Sequence, residues 1–92
     1  MNELFLKAKE KWGLNSQILM LAEEASELSA ASLHLLRKLK DKAEAWEQFS
    51  EEVADVELMI AEMKEYFPLL QAKVNLYRGI KEARLKRLLG EK

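Results

Sequence analysis

The chain has 92 residues, of which 49% are hydrophobic and 34% charged, and its formal net charge is −1. This balance is typical of one small folded domain over residues 1–92, and it excludes a mostly disordered chain and disfavours a nucleic-acid partner. The absence of cysteine excludes disulfides and thiolate metal sites. Since no signal-peptide pattern and no bilayer-length apolar run occur, we predict a cytoplasmic protein without a membrane partner.

Two helices are predicted in the first half of the chain. Asn2 can cap a short first helix, and Gly13 can end it. Asn15 or Ser16 can cap the second helix. The apolar residues of this second helix recur at helical spacing: Ile18, Leu21, Ala25, Leu28, Leu35 and Leu39.

Two further helices are predicted in the second half. "DKAE" (41 to 44) has the form of a capping box, with Asp41 as the cap and Glu44 reaching back. Pro68 should end the third helix, and a fourth should run from about Leu69 to Leu89 before Gly90. The third helix carries Phe49, Val53, Val56, Ile60, Met63 and Phe67.

No segment alternates with the period of two that a strand requires. The sequence therefore predicts an all-α fold resembling a four-helix bundle. One short N-terminal helix would precede two long antiparallel helices, and a C-terminal helix would follow them. Because so small a chain leaves apolar residues outside these stripes, we also expect a homo-oligomer, at least a dimer.

Two acid pairs intrude on the predicted apolar stripes. At roughly 100° per residue, Glu24 lies about 60° and Glu27 about 120° from the apolar centre of the second helix. Glu52 lies about 50° and Asp55 about 110° from the centre of the third. Residues three apart share a helix face, so antiparallel packing would bring the four carboxylates together.

Four converging carboxylates need compensation, by raised pKa values, basic partners or a bound cation. An all-oxygen donor set favours Mg²⁺ first and Mn²⁺ second. Iron is disfavoured because its helical carboxylate sites use Glu-x-x-His pairs. The only histidine, His34, is seven residues after Glu27 and is predicted to lie at the surface or an interface.

The alternative is that these acids are ordinary solvated residues, since most acid pairs on helices are. Either pair alone favours that interpretation. The matching phase of the two pairs, with Glu24 and Glu52 inside apolar stripes, favours the metal site. Four other acids provide comparisons: Glu23, Glu51, Glu57 and Glu62.

The acid pairs and their context resemble a known family. "EEASE" (23 to 27), followed by "EVAD" (52 to 55), is similar to the EExxE…ExxD signature of MazG-like nucleotide pyrophosphohydrolases. The preceding "WGLNSQILMLAEEASEL" (12 to 28) resembles the family's lead-in, and "KEARLKRL" (81 to 88) resembles it more weakly. The resemblance extends from residue 12 to about 67.

The resemblance implies an all-α enzyme that converts a nucleoside triphosphate and water to the monophosphate and pyrophosphate. Glu24, Glu27, Glu52 and Asp55 would hold Mg²⁺, and Mn²⁺ is a possible substitute. Glu27 or Glu23 would accept a proton from the attacking water, and the choice between them stays open. Family members are dimers or tetramers, so a homodimer or homotetramer is expected.

Substrate contacts are assigned to five further residues. Lys38, Lys81 and Arg84 are candidates for the phosphates, although a solvated basic face is the more common explanation for any one of them. Trp12 and Gln17 are candidates for the base, because they lie in the stretch that resembles the family. Which nucleotide is the substrate stays open.

Three functions from different classes follow. The first is the Mg²⁺-dependent pyrophosphohydrolase, acting in nucleotide-pool control or house-cleaning. The second is a bundle that binds a nucleotide or metal without turnover. The third is a structural helical protein whose exposed apolar residues bind a partner helix.

Overall fold

The computed structural model describes residues 2–38 and 42–91, and the regular structure in these two segments is entirely helical. This confirms the all-α prediction. Within these segments no helix combines the length and the apolar character needed to cross a membrane. The four helices are α1 (Glu3–Trp12), α2 (Leu14–Arg37), α3 (Ala43–Tyr66) and α4 (Leu70–Leu88).

The ends of α1 are formed by the residues that the sequence predicts. The Leu4 backbone N–H donates to Asn2 Oδ1 at 2.8 Å, which satisfies one of the free amides of the first turn. Gly13 has φ +86°, and its N–H donates to the Lys9 carbonyl at 2.8 Å. Because glycine reaches positive φ without steric cost, the chain turns from α1 into α2 at this one residue.

The predicted cap of α2 is wrong. The helix begins at Leu14, directly after Gly13, and no side chain caps it. Asn15 and Ser16 therefore lie inside the first turn. The reason is that Gly13 provides the turn and its carbonyl accepts the Gln17 N–H at 3.2 Å, which leaves no intervening residue for a cap.

The remaining helix ends follow the sequence more closely. Asp41, the predicted cap of α3, lies outside the described residues, and the helix is described from Ala43. It ends at Tyr66, two residues before Pro68. At the end of α4, Gly90 has φ +75° and donates to the Arg87 carbonyl, while the next N–H bonds to Lys86 in a Schellman arrangement.

Helices α2 and α3 form an antiparallel hairpin that carries most of the interhelical packing. The core lies toward the end of the hairpin where α2 begins and α3 ends. It consists of Met59, Met63 and Tyr66, packed by Phe5, Leu14, Leu21 and Leu70. The Tyr66 hydroxyl also donates to the Phe5 carbonyl at 2.6 Å, which fastens α1 to α3.

The buried face of α3 differs from the predicted one. Met59, Glu62 and Tyr66 are buried, whereas Ile60 and Phe67 remain exposed. On a helical wheel the buried centre is rotated by roughly 70° from the predicted centre, toward Glu52 and Asp55. Most of this buried face packs against α2, and α1 covers it only around Tyr66, through Phe5.

Helix α4 contributes little to the core. Leu70 packs against the core and Val74 is half-buried, but every residue from Asn75 to Glu91 is exposed. The described chain is correspondingly flat, with extents of 43 × 39 × 18 Å. The architecture is thus a helical hairpin with α1 packed on it and α4 leading away, and it is more open than the predicted bundle.

Candidate metal centre

Three of the four acids predicted as metal ligands come together at the middle of the α2/α3 hairpin. Carboxylate oxygens of Glu24, Glu52 and Asp55 lie within 4.8 Å of one another. Glu24 adjoins Asp55, and Glu52 adjoins Glu27, so that like charges face each other across the two helices. Residue numbers rise along α2 while they fall along α3 across these contacts, so the two helices are antiparallel. The spacing of three residues in each acid pair then places both pairs on facing sides of the helices.

Two oxygens in this cluster are shielded from water. Glu24 Oε2 and Glu52 Oε2 are buried and receive no hydrogen bond from any residue that the structure describes, although both residues are only half-buried overall. Burial raises the pKa of the Glu24 carboxyl, and the charges of Glu27, Asp55 and Glu52 raise it further. Burial likewise raises the pKa of Glu52, followed by the charges of Glu27 and Asp55. The proton-free cluster is therefore an unfavourable arrangement without a cation.

The donor set fits a hard divalent cation. Carboxylate oxygens are the ligands that Mg²⁺, Mn²⁺ and Ca²⁺ prefer. With metal–oxygen distances of about 2.0–2.1 Å, one Mg²⁺ can bind oxygens up to about 4.2 Å apart. The observed limit of 4.8 Å requires only a small contraction of flexible side chains. The two shielded oxygens without donors are the atoms that a cation would satisfy.

A cavity of about 400 Å³ opens beside the cluster. Ala30 and Ala31 leave room for it, because their side chains are small. His34 and Arg37 line it from α2, further along than Glu27. It is lined by Glu27, Ala30, Ala31, His34, Arg37, Gln48 and Glu52.

Three of these lining residues were missed by sequence reasoning. His34 was expected at the surface or an interface, but it is half-buried and faces the cavity. Arg37 and Gln48 carry no local motif. Their only sequence signal is position, since a hairpin that pairs Glu27 with Glu52 also packs the part of α2 that follows Glu27 against the part of α3 that precedes Glu52.

The residues proposed for base binding lie elsewhere. Gln17 is 1% exposed, and its amide donates to Met20 Sδ at 3.7 Å. Trp12 is 56% exposed, with the Lys11 ammonium 5.3 Å from the centre of its ring. Neither lines the cavity beside the carboxylates, so their base contacts stay predictions.

The other predicted catalytic and phosphate-binding residues are all exposed. Glu23 precedes Glu24 on α2, and Lys38 follows the last residue of that helix. Lys81 and Arg84 lie on the exposed part of α4. These four residues are not among those lining the cavity, and their roles stay predictions.

Comparisons with protein-family models, with curated proteins and with solved structures gave no match. The resemblance to MazG-like pyrophosphohydrolases therefore stays a prediction, based on the acid pairs and on the stretch from residue 12 to 28.

A further buried acid does not belong to the cluster. Glu62, one of the comparison acids, is buried ten residues after Glu52 on α3, or about 15 Å along the axis. Burial raises the pKa of its carboxyl, and the Tyr66 hydroxyl at 3.4 Å opposes that shift. Since the same hydroxyl bonds to α1, this pair has a structural role.

Proposed function

We propose that this protein is a cytoplasmic, Mg²⁺-dependent nucleoside triphosphate pyrophosphohydrolase. It would convert an NTP or dNTP and water to the NMP or dNMP and pyrophosphate, and Mn²⁺ would substitute for Mg²⁺. The observation that carries the proposal is the convergence of Glu24, Glu52 and Asp55, with two shielded oxygens that no donor in residues 2–38 and 42–91 satisfies. The neighbours that raise the pKa values of Glu24 and Glu52 are all carboxyls, so the cluster calls for an external cation.

The four acids divide into two roles. Glu24, Glu52 and Asp55 hold the cation, because their oxygens already lie within 4.8 Å of one another. Glu27 accepts the proton of the attacking water, because it is exposed, adjoins Glu52 and lines the cavity. Glu23 is the second candidate for the base. A divalent cation, when bound, neutralises triphosphate charge and lowers the pKa of a coordinated water.

The test is pyrophosphate release from a panel of canonical and modified nucleotides, with and without Mg²⁺. Turnover is expected only with the metal, and Glu52→Gln or Asp55→Asn should lower kcat at least a hundredfold. Glu57→Gln, an exposed acid on the same helix, is the matched control and should leave kcat unchanged. Wild-type turnover in EDTA, or full activity of Asp55→Asn, would refute the proposal.

The same experiment separates the two other functions. Metal-dependent nucleotide binding without product would indicate a binding module. A fold and a partner affinity indifferent to substitution of all four acids would indicate a structural helical protein. The nucleotide panel also identifies the substrate.

We propose further that the protein is a homodimer or homotetramer assembled through α4. Only five hydrophobic residues are buried in the described segments, three of them in the core, while α4 exposes a large apolar surface. A second copy that covers this helix would supply the burial that one chain of this size lacks. Sedimentation showing only a 10.7 kDa species at micromolar concentration would refute the assembly. The exposed residues of α4 include Leu76, Ile80, Leu85 and Leu88, and Leu69 is exposed directly before the helix.

A further inference from the structure

The cavity beside the carboxylates has chemically different ends. Glu27 and Glu52 belong to the carboxylate cluster, and Arg37 lies about 15 Å further along the axis of α2 than Glu27, at 1.5 Å per residue. Arg37 is the one cation among the described lining residues, and no ion pair is seen for it within the described segments. An anion in this cavity can therefore contact a bound cation at one end and a guanidinium at the other.

The other lining groups suit an oxygen-rich anion. Arginine presents a planar fork of donors that matches the oxygens of a phosphate in pairs. His34 and Gln48 add ring and amide N–H donors along the walls. The floor of Ala30 and Ala31 leaves the space between the two ends open.

The neighbouring groove on the other side of the cluster has the opposite character. It has a volume of about 460 Å³, and no charged or polar side chain is found among its described lining residues. A polyphosphate placed there would lose its hydration without gaining a partner. The groove is lined by Ile18, Leu21, Ile60, Met63, Phe67, Leu70 and Val74.

We infer that the Arg37 cavity binds the two phosphates that leave as pyrophosphate. The inference rests on the proposed hydrolysis and assigns a direction to the substrate. The β- and γ-phosphates extend along α2 toward Arg37, and the nucleoside lies on the Glu24–Asp55 side. In the reaction the water oxygen bonds to the α-phosphorus, and the bond from that phosphorus to the bridging oxygen breaks. The bridging oxygen leaves with its electron pair on pyrophosphate, and Glu27 takes the water proton.

Calorimetric titration with inorganic pyrophosphate in Mg²⁺ buffer tests this assignment without turnover. Arg37→Ala should weaken pyrophosphate binding at least tenfold, and Arg37→Lys should retain part of the affinity because it keeps the charge but loses the fork. Gln48→Ala should weaken binding less. Lys7→Ala removes one exposed charge from α1 and should leave the affinity unchanged. Circular dichroism should show all four variants folded, because these side chains are exposed.

Kinetics provide the second measurement. Arg37→Ala should raise the KM for the nucleotide and the inhibition constant of pyrophosphate together. Wild-type pyrophosphate affinity in both Arg37→Ala and Gln48→Ala would overturn the inference. So would a loss of affinity in Lys81→Ala with none in Arg37→Ala, because it would place the phosphates beside α4.

The inference and the proposed function can fail separately. Arg37-dependent pyrophosphate binding without hydrolysis of any nucleotide would leave the anion site in place and refute the enzyme. Normal hydrolysis of a nucleotide, with pyrophosphate binding unchanged in the Arg37 variants, would support the enzyme and refute the anion site.

Discussion

Replacing Glu52 by glutamine should change the stability of the protein in opposite directions with and without metal. In EDTA the wild type holds a shielded Glu52 oxygen with no donor, next to other carboxylates. Glutamine has nearly the same shape but no charge, so Glu52→Gln should be the more stable protein at pH 7. With Mg²⁺ present the order should reverse, because the variant has lost one anionic ligand.

The size of the metal effect follows from linkage. A ligand that binds only the folded state at one hundred times its Kd stabilises that state by about 2.7 kcal/mol. In a domain of this size, 1 kcal/mol corresponds to about 4–8 °C in Tm. Saturating Mg²⁺ should therefore raise the wild-type Tm by about 10–20 °C. The rise for Glu52→Gln at the same Mg²⁺ concentration should be much smaller.

The assay is thermal unfolding, followed by circular dichroism at 222 nm, in EDTA and over a series of Mg²⁺ concentrations. Glu57→Gln, whose carboxylate is exposed on α3, should follow the wild type under both conditions. If Mg²⁺ shifts the Tm of wild type and Glu52→Gln equally, the cluster is not the metal site. If Glu52→Gln is less stable than wild type in EDTA, the charge of Glu52 does not destabilise the metal-free protein.

Three other predictions concern stability. In EDTA the urea midpoint should be higher at pH 5 than at pH 7. Burial raises the folded-state pKa values of Glu24 and Glu52, so the folded protein binds protons more tightly than the unfolded chain. The folded state therefore loses stability as the pH rises through those pKa values. A lower midpoint at pH 5 would contradict this. Tyr66→Phe should cost about 1 kcal/mol in urea unfolding, because the hydroxyl bond to α1 is lost, and an unchanged midpoint would show that this bond is not stabilising. Met63→Ala should cost about 2–5 kcal/mol and the exposed Leu36→Ala under about 0.5, and similar costs would place the core elsewhere.

Much of the fold could be predicted because helix boundaries depend on local chemistry. Gly13 and Gly90 adopt the positive φ that ends a helix without strain, and Pro68 cannot continue one. The cap of α2 was predicted wrongly because two polar residues followed the glycine that makes the turn. The convergence of the acid pairs could also be predicted, since a spacing of three places each pair on one helix face and antiparallel packing opposes the two faces.

By itself, the sequence therefore determined the four helices and the acid pairs on α2 and α3. Only the tertiary structure decided which face of α3 is buried, that Glu62 is enclosed, and that Arg37 and Gln48 share a cavity with Glu27. The periodicity of a helix specifies which residues share a face, but the packing of the neighbouring helices determines which face is buried. Arg37 and Gln48 belong to this site only because the hairpin lays the part of α3 before Glu52 against the part of α2 after Glu27.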